Sequence, residues 1–225
     1  MIIGIDMGHS LSGAGTGAVG ICKEVDKNRE AGKRLISMLK EKGHTVINCT
    51  VDSAGSTGEQ LQGIVDNANS QSLDLFVSLH LNSFNGNAYG VETYVYSGGY
   101  PGKDANKDIA NRILGKLVTQ VGWYNRGVKE ENFFVLRETV APAVLCELGF
   151  CDNEGDMNKW DTEKIARALF EGITNTTYTA PSAPASSNTM FRVVCGTYAS
   201  RENAIAQQEK LKNAGFNSFL VTYVK

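Results

Sequence analysis

The run Leu73–Leu81, LDLFVSLHL, limits the fold of this chain more than any other stretch. It is apolar almost throughout, so a strand made from it shows apolar side chains on both faces. Such a strand belongs in the middle of a sheet that helices cover on either side. The flanking segments fit that place. Ile2–Asp6 and Val144–Phe150 are further short apolar runs, and Thr45–Val51 and Val91–Tyr96 are rich in β-branched and aromatic residues. Between them, Glu24–Lys42 carries Val25, Leu35, Ile36 and Leu39 close to helical period and stops at Gly43. Thr57–Asn69, Ala105–Val121 and Thr162–Thr174 are the other predicted helices, the last with Asp161 as its cap. The pattern predicts an α/β fold, a mixed, mostly parallel sheet sandwiched by helices. In such sheets ligands gather at the carboxyl ends of the strands.

The pattern breaks at residues 176–189, TTYTAPSAPASSNT, which carry no charge and little to bury. As a flexible coil those residues span roughly 20 Å, and they are read as a tether. The chain then divides into a domain at 1–175, the linker at 176–189 and a small strand–helix–strand module at 190–225. Charge divides with it. Residues 1–188 hold 17 Lys/Arg against 22 Asp/Glu, whereas residues 189–225 hold 5 against 2. No basic excess of the size that neutralises phosphates is present, so nucleic acid is not expected as a partner. No apolar run approaches the ~20 residues of a membrane span. The start, MIIGIDMGHS, has neither the basic nor the apolar part of a secretory signal. The five cysteines are odd in number and scattered, so no disulfide framework or metal knuckle is read from them. The expectation is a protein made in a reducing cytoplasm.

Three strands run into ionisable residues. The first ends at His9, the central one reaches His80, and the late one passes through Glu147, while Glu24 opens the first helix. Two imidazoles and a carboxylate are the donor set of a catalytic zinc site with one position open to water, and a further carboxylate supplies the general base. Each residue also has an ordinary structural reading. His9 after glycine suits a turn, His80 a satisfied core histidine, and Glu24 the positive end of its helix. Glu147, between Leu145, Cys146, Leu148 and Phe150, is the least comfortable as plain structure, because an unpaired buried carboxylate is costly. His44, in the turn EKGHTV, reads as structural.

IDMGHS with its Gly-rich loop and KEVDKN resembles the opening of the zinc-dependent type 3 N-acetylmuramoyl-L-alanine amidases. VSLHLNS resembles their second-histidine motif, and PAVLCELGFCDNEGD their catalytic-glutamate motif. The likeness is ordered and spans about residues 1–175. The loop Ser10–Gly20 departs from the commoner DPGHGG form but keeps the first histidine. The resemblance implies a zinc amidase/phosphorylase-like fold, His9, Glu24 and His80 as zinc ligands, and Glu147 as catalytic base. Asn82 and Asn28 match polar positions near the family's site, and Asn82 is read as substrate-binding. The implied reaction is hydrolysis of the amide joining N-acetylmuramic acid to L-alanine of the stem peptide. The expected setting is the cell wall, reached by holin-dependent release of a phage endolysin or by mother-cell lysis. The rival readings are a zinc peptidase acting within the stem peptide and a non-catalytic wall-binding protein.

The last segment, FRVVCGTYASRENAIAQQEKLKNAGFNSFLVTY, resembles one half of a sporulation-related (SPOR) repeat, a family that binds peptidoglycan glycan strands. A piece this short buries little core alone. Phe191, Val193 and Cys195 on one strand, Phe219, Val221 and Tyr223 on the other, and Ala204, Ile205 and Leu211 on the helix offer apolar faces that a second copy completes. Two expectations follow: homodimerisation through residues 190–225, or docking of the tail on the first domain of its own chain.

Overall fold

The computed structural model describes residues 1–180, 194–216 and 218–222. The chain separates into two compact units, Met1–Ala180 and Pro181–Lys225. In the first, the elements run β1 (Ile2–Met7), β2 (Ser12–Gly13), α1 (Glu24–Glu41), β3 (Thr45–Asn48), β4 (Ser53–Ala54), α2 (Thr57–Asn69), β5 (Leu75–Asn82) and β6 (Val91–Tyr96). Then come α3 (Lys103–Val121), β7 (Asn125–Glu131), α4 (Phe134–Glu138), β8 (Ala143–Phe150), α5 (Glu154–Asn158) and α6 (Thr162–Thr174).

The main sheet has the order β3-β1-β5-β8-β6-β7. Neighbours are parallel except β6 and β8, which run antiparallel. This is the mixed, mostly parallel sheet expected. Leu75, Phe76, Val77, Ser78 and Leu79 of β5 are all fully buried, which identifies β5 as a strand covered on both faces. On one face α1, α3 and α6 contribute Leu35, Ile113 and Leu169 to a core with Ile5, Val77 and Val144. On the other, α2 and α4 place Ile64, Val65, Val135 and Leu136 over Phe76, Tyr94 and Leu145. The caps follow from side-chain chemistry. Asp161 accepts from the backbone of Glu163 and Lys164 ahead of α6, and Ser56 from that of Glu59 ahead of α2.

Several boundaries differ from the sequence reading. The Thr45–Val51 strand closes at Asn48, because Thr50 turns inward and its hydroxyl takes the backbone N–H of Met7. The edge strand β7, NRGVKEE, shows no apolar alternation, since only its pairing to β6 makes it a strand. Within the segment read as a tether, Tyr178 is buried against Phe170 and donates to Glu41. Residues 181–189 lie outside the described residues.

The second unit contains α7 (Arg201–Asn213), capped by Ser200. Among its described residues, 194–198 and 218–222 form no strand. Phe191, Val193 and Tyr223, named for the flanking strands, lie outside the described residues. No described residue of this unit is buried. No helix among the described residues is long and apolar enough to cross a membrane.

Candidate metal centre and catalytic carboxylate

β1 and β5 are hydrogen-bonded neighbours in the middle of the sheet, and their carboxyl ends carry His9 and His80. The first turn of α1 adds Glu24 from the side. His9 Nε2 lies 2.9 Å and His80 Nδ1 3.1 Å from the same oxygen, Glu24 Oε1, and the two nitrogens are 3.2 Å apart. The structure thus brings together three residues scattered along the chain. Tetrahedral zinc with bonds of about 2.0–2.1 Å to nitrogen and oxygen spaces its ligand atoms about 3.3 Å apart. The donor set and its spacing fit such an ion.

The surroundings orient each donor. His9 Nδ1 lies 3.1 Å from the Gly15 carbonyl, which favours the proton on Nδ1 and leaves Nε2 free to bind a metal. Glu24 Oε2 accepts from the Ala18 backbone at 2.9 Å, and Oε1 from that of Leu81 at 3.1 Å. His9 itself has φ 71°, a left-handed backbone that costs energy outside glycine. Arg29, buried on α1, holds that conformation. It donates to the carbonyls of Met7, Gly8 and His9 and pairs with Asp52. Asn28 adds a bond to the Gly8 carbonyl at 3.2 Å. Gly8 is required for a different reason: a Cβ there would lie 2.3 Å from the His80 ring.

Glu147 stands opposite His80 in the β5–β8 register. Its Oε2 is buried without a hydrogen-bond partner. Together with His9, His80, Asp6 and Gln60 it lines a cavity of about 240 Å³ whose remaining wall is largely apolar, from Leu61, Ile64, Phe133, Phe134 and Leu145. Burial pushes the Glu147 carboxyl up to about 7, against the pull of the His80 charge. Burial alone pushes His80 down, but its hydrogen bond to Glu24 and the nearby charges of Glu147 and Glu24 raise it to about 9. Burial also pushes Glu24 up, yet hydrogen bonds from His80 and His9 win and hold it well below the carboxylate range. An acid near neutrality beside a cluster of metal donors can exchange protons with water and with a departing amine.

Asn82 sits at the end of β5, and its amide N–H donates to Glu92 at 2.9 Å. His44 lies edge-on to Phe170, away from the cluster. Arg29, Asp6 and Glu92 were not singled out in the sequence, where none of them differs from an ordinary surface or strand residue. Asp6 is buried, accepts from Ser78 at 2.6 Å, and burial raises its carboxyl. All five cysteines are free, and Cys49, Cys146 and Cys151 are buried in the first unit.

A family model described as N-acetylmuramoyl-L-alanine amidase matches residues 3–176. The chain belongs to that family. A SPOR domain model matches residues 161–222. The N-acetylmuramoyl-L-alanine amidase CwlM of Bacillus licheniformis is 28% identical over 220 residues, which is 96% of this chain and 83% of the relative. The endolysin of Bacillus phage SPP1 is 31% identical over 173 residues, 76% of this chain and 62% of that protein. Other relatives are much longer, the matched region being 20% of one of them. Among solved structures, the catalytic domain of the CD27L endolysin targeting Clostridia difficile aligns with a TM-score of 0.71 and 32% identity, covering 80% of this chain and 99% of that one. This membership makes the chain an enzyme of the amidase class, acting on peptidoglycan.

Proposed function

We propose that the amidase is zinc-dependent, that His9, Glu24 and His80 hold the ion, and that Glu147 is the general base. The convergence of those three donors on one point beside a buried, unpartnered carboxylate oxygen carries the reading. Zinc bound there polarises the scissile carbonyl and brings the pKa of a water toward neutrality. Glu147 accepts a proton from the attacking water and returns it to the departing L-alanine nitrogen. The amide is thereby split into the muramic carboxyl group and a free peptide amine. The apolar cavity wall keeps bulk water from Glu147 and so holds its carboxyl in the range where both transfers run.

The test is mass analysis of digested cell wall. Intact stem peptides with a free L-alanine amine, and glycan with an unsubstituted lactyl carboxyl, are the expected products. Fragments cut within the stem peptide would replace this reading by a zinc peptidase.

The role proposed is lytic, that of a phage endolysin or a mother-cell autolysin acting on the wall after release from the cytoplasm. Likeness to an endolysin supports it. The domain plan proposed is catalysis in residues 1–175, a linker at 176–189 whose first residues, Tyr178 among them, pack on the catalytic unit, and glycan binding in residues 190–225. The absence of buried residues in the described part of the second unit supports pairing of two copies through residues 190–225. Light scattering at micromolar concentration tests that pairing, and a strictly monomeric full-length chain would end it.

A further inference from the structure

Glu92 is 1% exposed, near the start of β6, and pairs in register with Glu147 on the antiparallel neighbour β8. Its two oxygens take four donors. Oε1 accepts from Asn82 Nδ2 at 2.9 Å and from the Tyr94 hydroxyl at 2.7 Å. Oε2 accepts from Arg126 Nε at 2.7 Å and from Lys129. A carboxylate buried among cations is weak evidence for stability, since apolar residues of like volume often serve as well. Its retention here calls for what it holds in place.

The donor on the strand that carries His80 is Asn82. The register pairs His80 with Glu147 but Asn82 with Phe150, so β8 contains an extra residue between the two pairs, where Gly149 has φ 83°. Such a bulge re-aims a side chain. Both ends of the Asn82 amide are then tied: its oxygen accepts from the Ser83 backbone at 2.9 Å, and one N–H goes to Glu92. An amide group has two N–H donors. Among the described residues nothing takes the second, and Asn82 is half-buried where Glu92 is buried.

We propose that Glu92 is a positioning residue: it fixes the Asn82 amide so that the remaining N–H donates to a carbonyl oxygen of the muramoyl-peptide beside Glu147. A fixed donor aimed where negative charge grows on the substrate acts mainly in the transition state, whereas a swinging one has first to be ordered. Burial pushes the Glu92 carboxyl up, but hydrogen bonds from Lys129, Tyr94 and Arg126 outweigh it and keep Glu92 ionised, so its acceptor strength toward Asn82 is retained. The inference rests on the amidase reading of the same site.

A double-mutant cycle on the full-length protein with a soluble muramoyl-L-alanyl peptide tests it. E92Q and N82A each lower kcat about tenfold with KM within twofold, and the double variant is no slower than N82A. Zinc content stays at the wild-type level in all three. In 15N spectra the Asn82 side-chain amide of the wild type shows one strongly downfield proton, which E92Q abolishes. Should E92Q not fold, E92D keeps a charge for Arg126 and Lys129 while withdrawing the oxygens from Asn82, and the same cycle is run with it. Losses that multiply in the double variant, or wild-type kcat in E92Q, overturn the proposal. An inactive wild type would instead defeat the amidase reading, so the two failures are distinct.

Discussion

Helices α6 and α7 are both thirteen residues long, and each opens on a side-chain cap, Asp161 in one and Ser200 in the other. α6 buries eight residues, from Ile165 to Ile173, whereas α7 buries none. Local signals are thus alike and tertiary burial is opposite. Isolated helices of this length are marginal in water, so packing decides which is rigid. The same contrast separates the two units. The first has a sheet with apolar cores on both faces, and that rigidity holds three donor atoms from distant segments within about 3 Å of each other. In the second, the described residues offer a capped helix and half-covered side chains, and none of them is buried.

Chelation probes the rigid side most strongly. Chelation is expected to abolish lysis and added zinc to restore it, read as turbidity loss of a wall suspension. Lysis that persists under chelation would mean that the three donors serve structure alone. The metal-free protein carries a pH signature as well. His80 is raised from its ordinary value to about 9 by Glu24. Its contribution to stability is therefore complete below about 6.5 and lost as pH rises through 9. Thermal melts of the metal-free form should fall between pH 6.5 and 9.5, and zinc should remove that fall, because the ion takes the place of the proton.

Glu147→Gln comes next. A general base contributes on the order of 10²–10⁴ in rate, and the loss should fall on kcat with zinc content and melting temperature kept. Near-normal lysis would remove Glu147 from the mechanism. This residue was legible because a carboxylate in the middle of VLCELGF has no ordinary reason to be there. His80 was legible in the same way, inside LFVSLHL. Arg29 was not, because an arginine on a helix rich in charge looks solvated, and only the fold turns it onto the carbonyls of Met7, Gly8 and His9. Glu92 was hidden by alternation. VETYVY reads as a strand with one polar face, and only the fold buries Glu92 and brings Asn82 of β5 and Arg126 and Lys129 of β7 to it. β7 escaped for want of apolar residues, as an edge strand paired on one side can dispense with them.

The comparison of helices is sharpened by one substitution on each. Leu169 is fully buried on α6 amid the core that includes Ile113 and Phe170. Leu169→Ala removes buried methylenes and leaves a cavity, at a cost of about 2–5 kcal/mol. That should appear as a clear drop in the midpoint of urea unfolding, with the slope unchanged.

Leu211→Ala on α7 should give the smallest effect, and it is the most telling. Leu211 is half-covered in the isolated chain, and alanine is the better helix former, so the lost contact and the gained propensity nearly cancel. Below the concentration at which copies associate, stability should stay within about 0.5 kcal/mol of wild type. If two copies bury this residue between them, the same substitution instead weakens association, and the midpoint becomes dependent on protein concentration in the wild type and less so in the variant. A cost of several kcal/mol that does not vary with concentration would show that α7 has a buried partner within its own chain, and the contrast with α6 would fail.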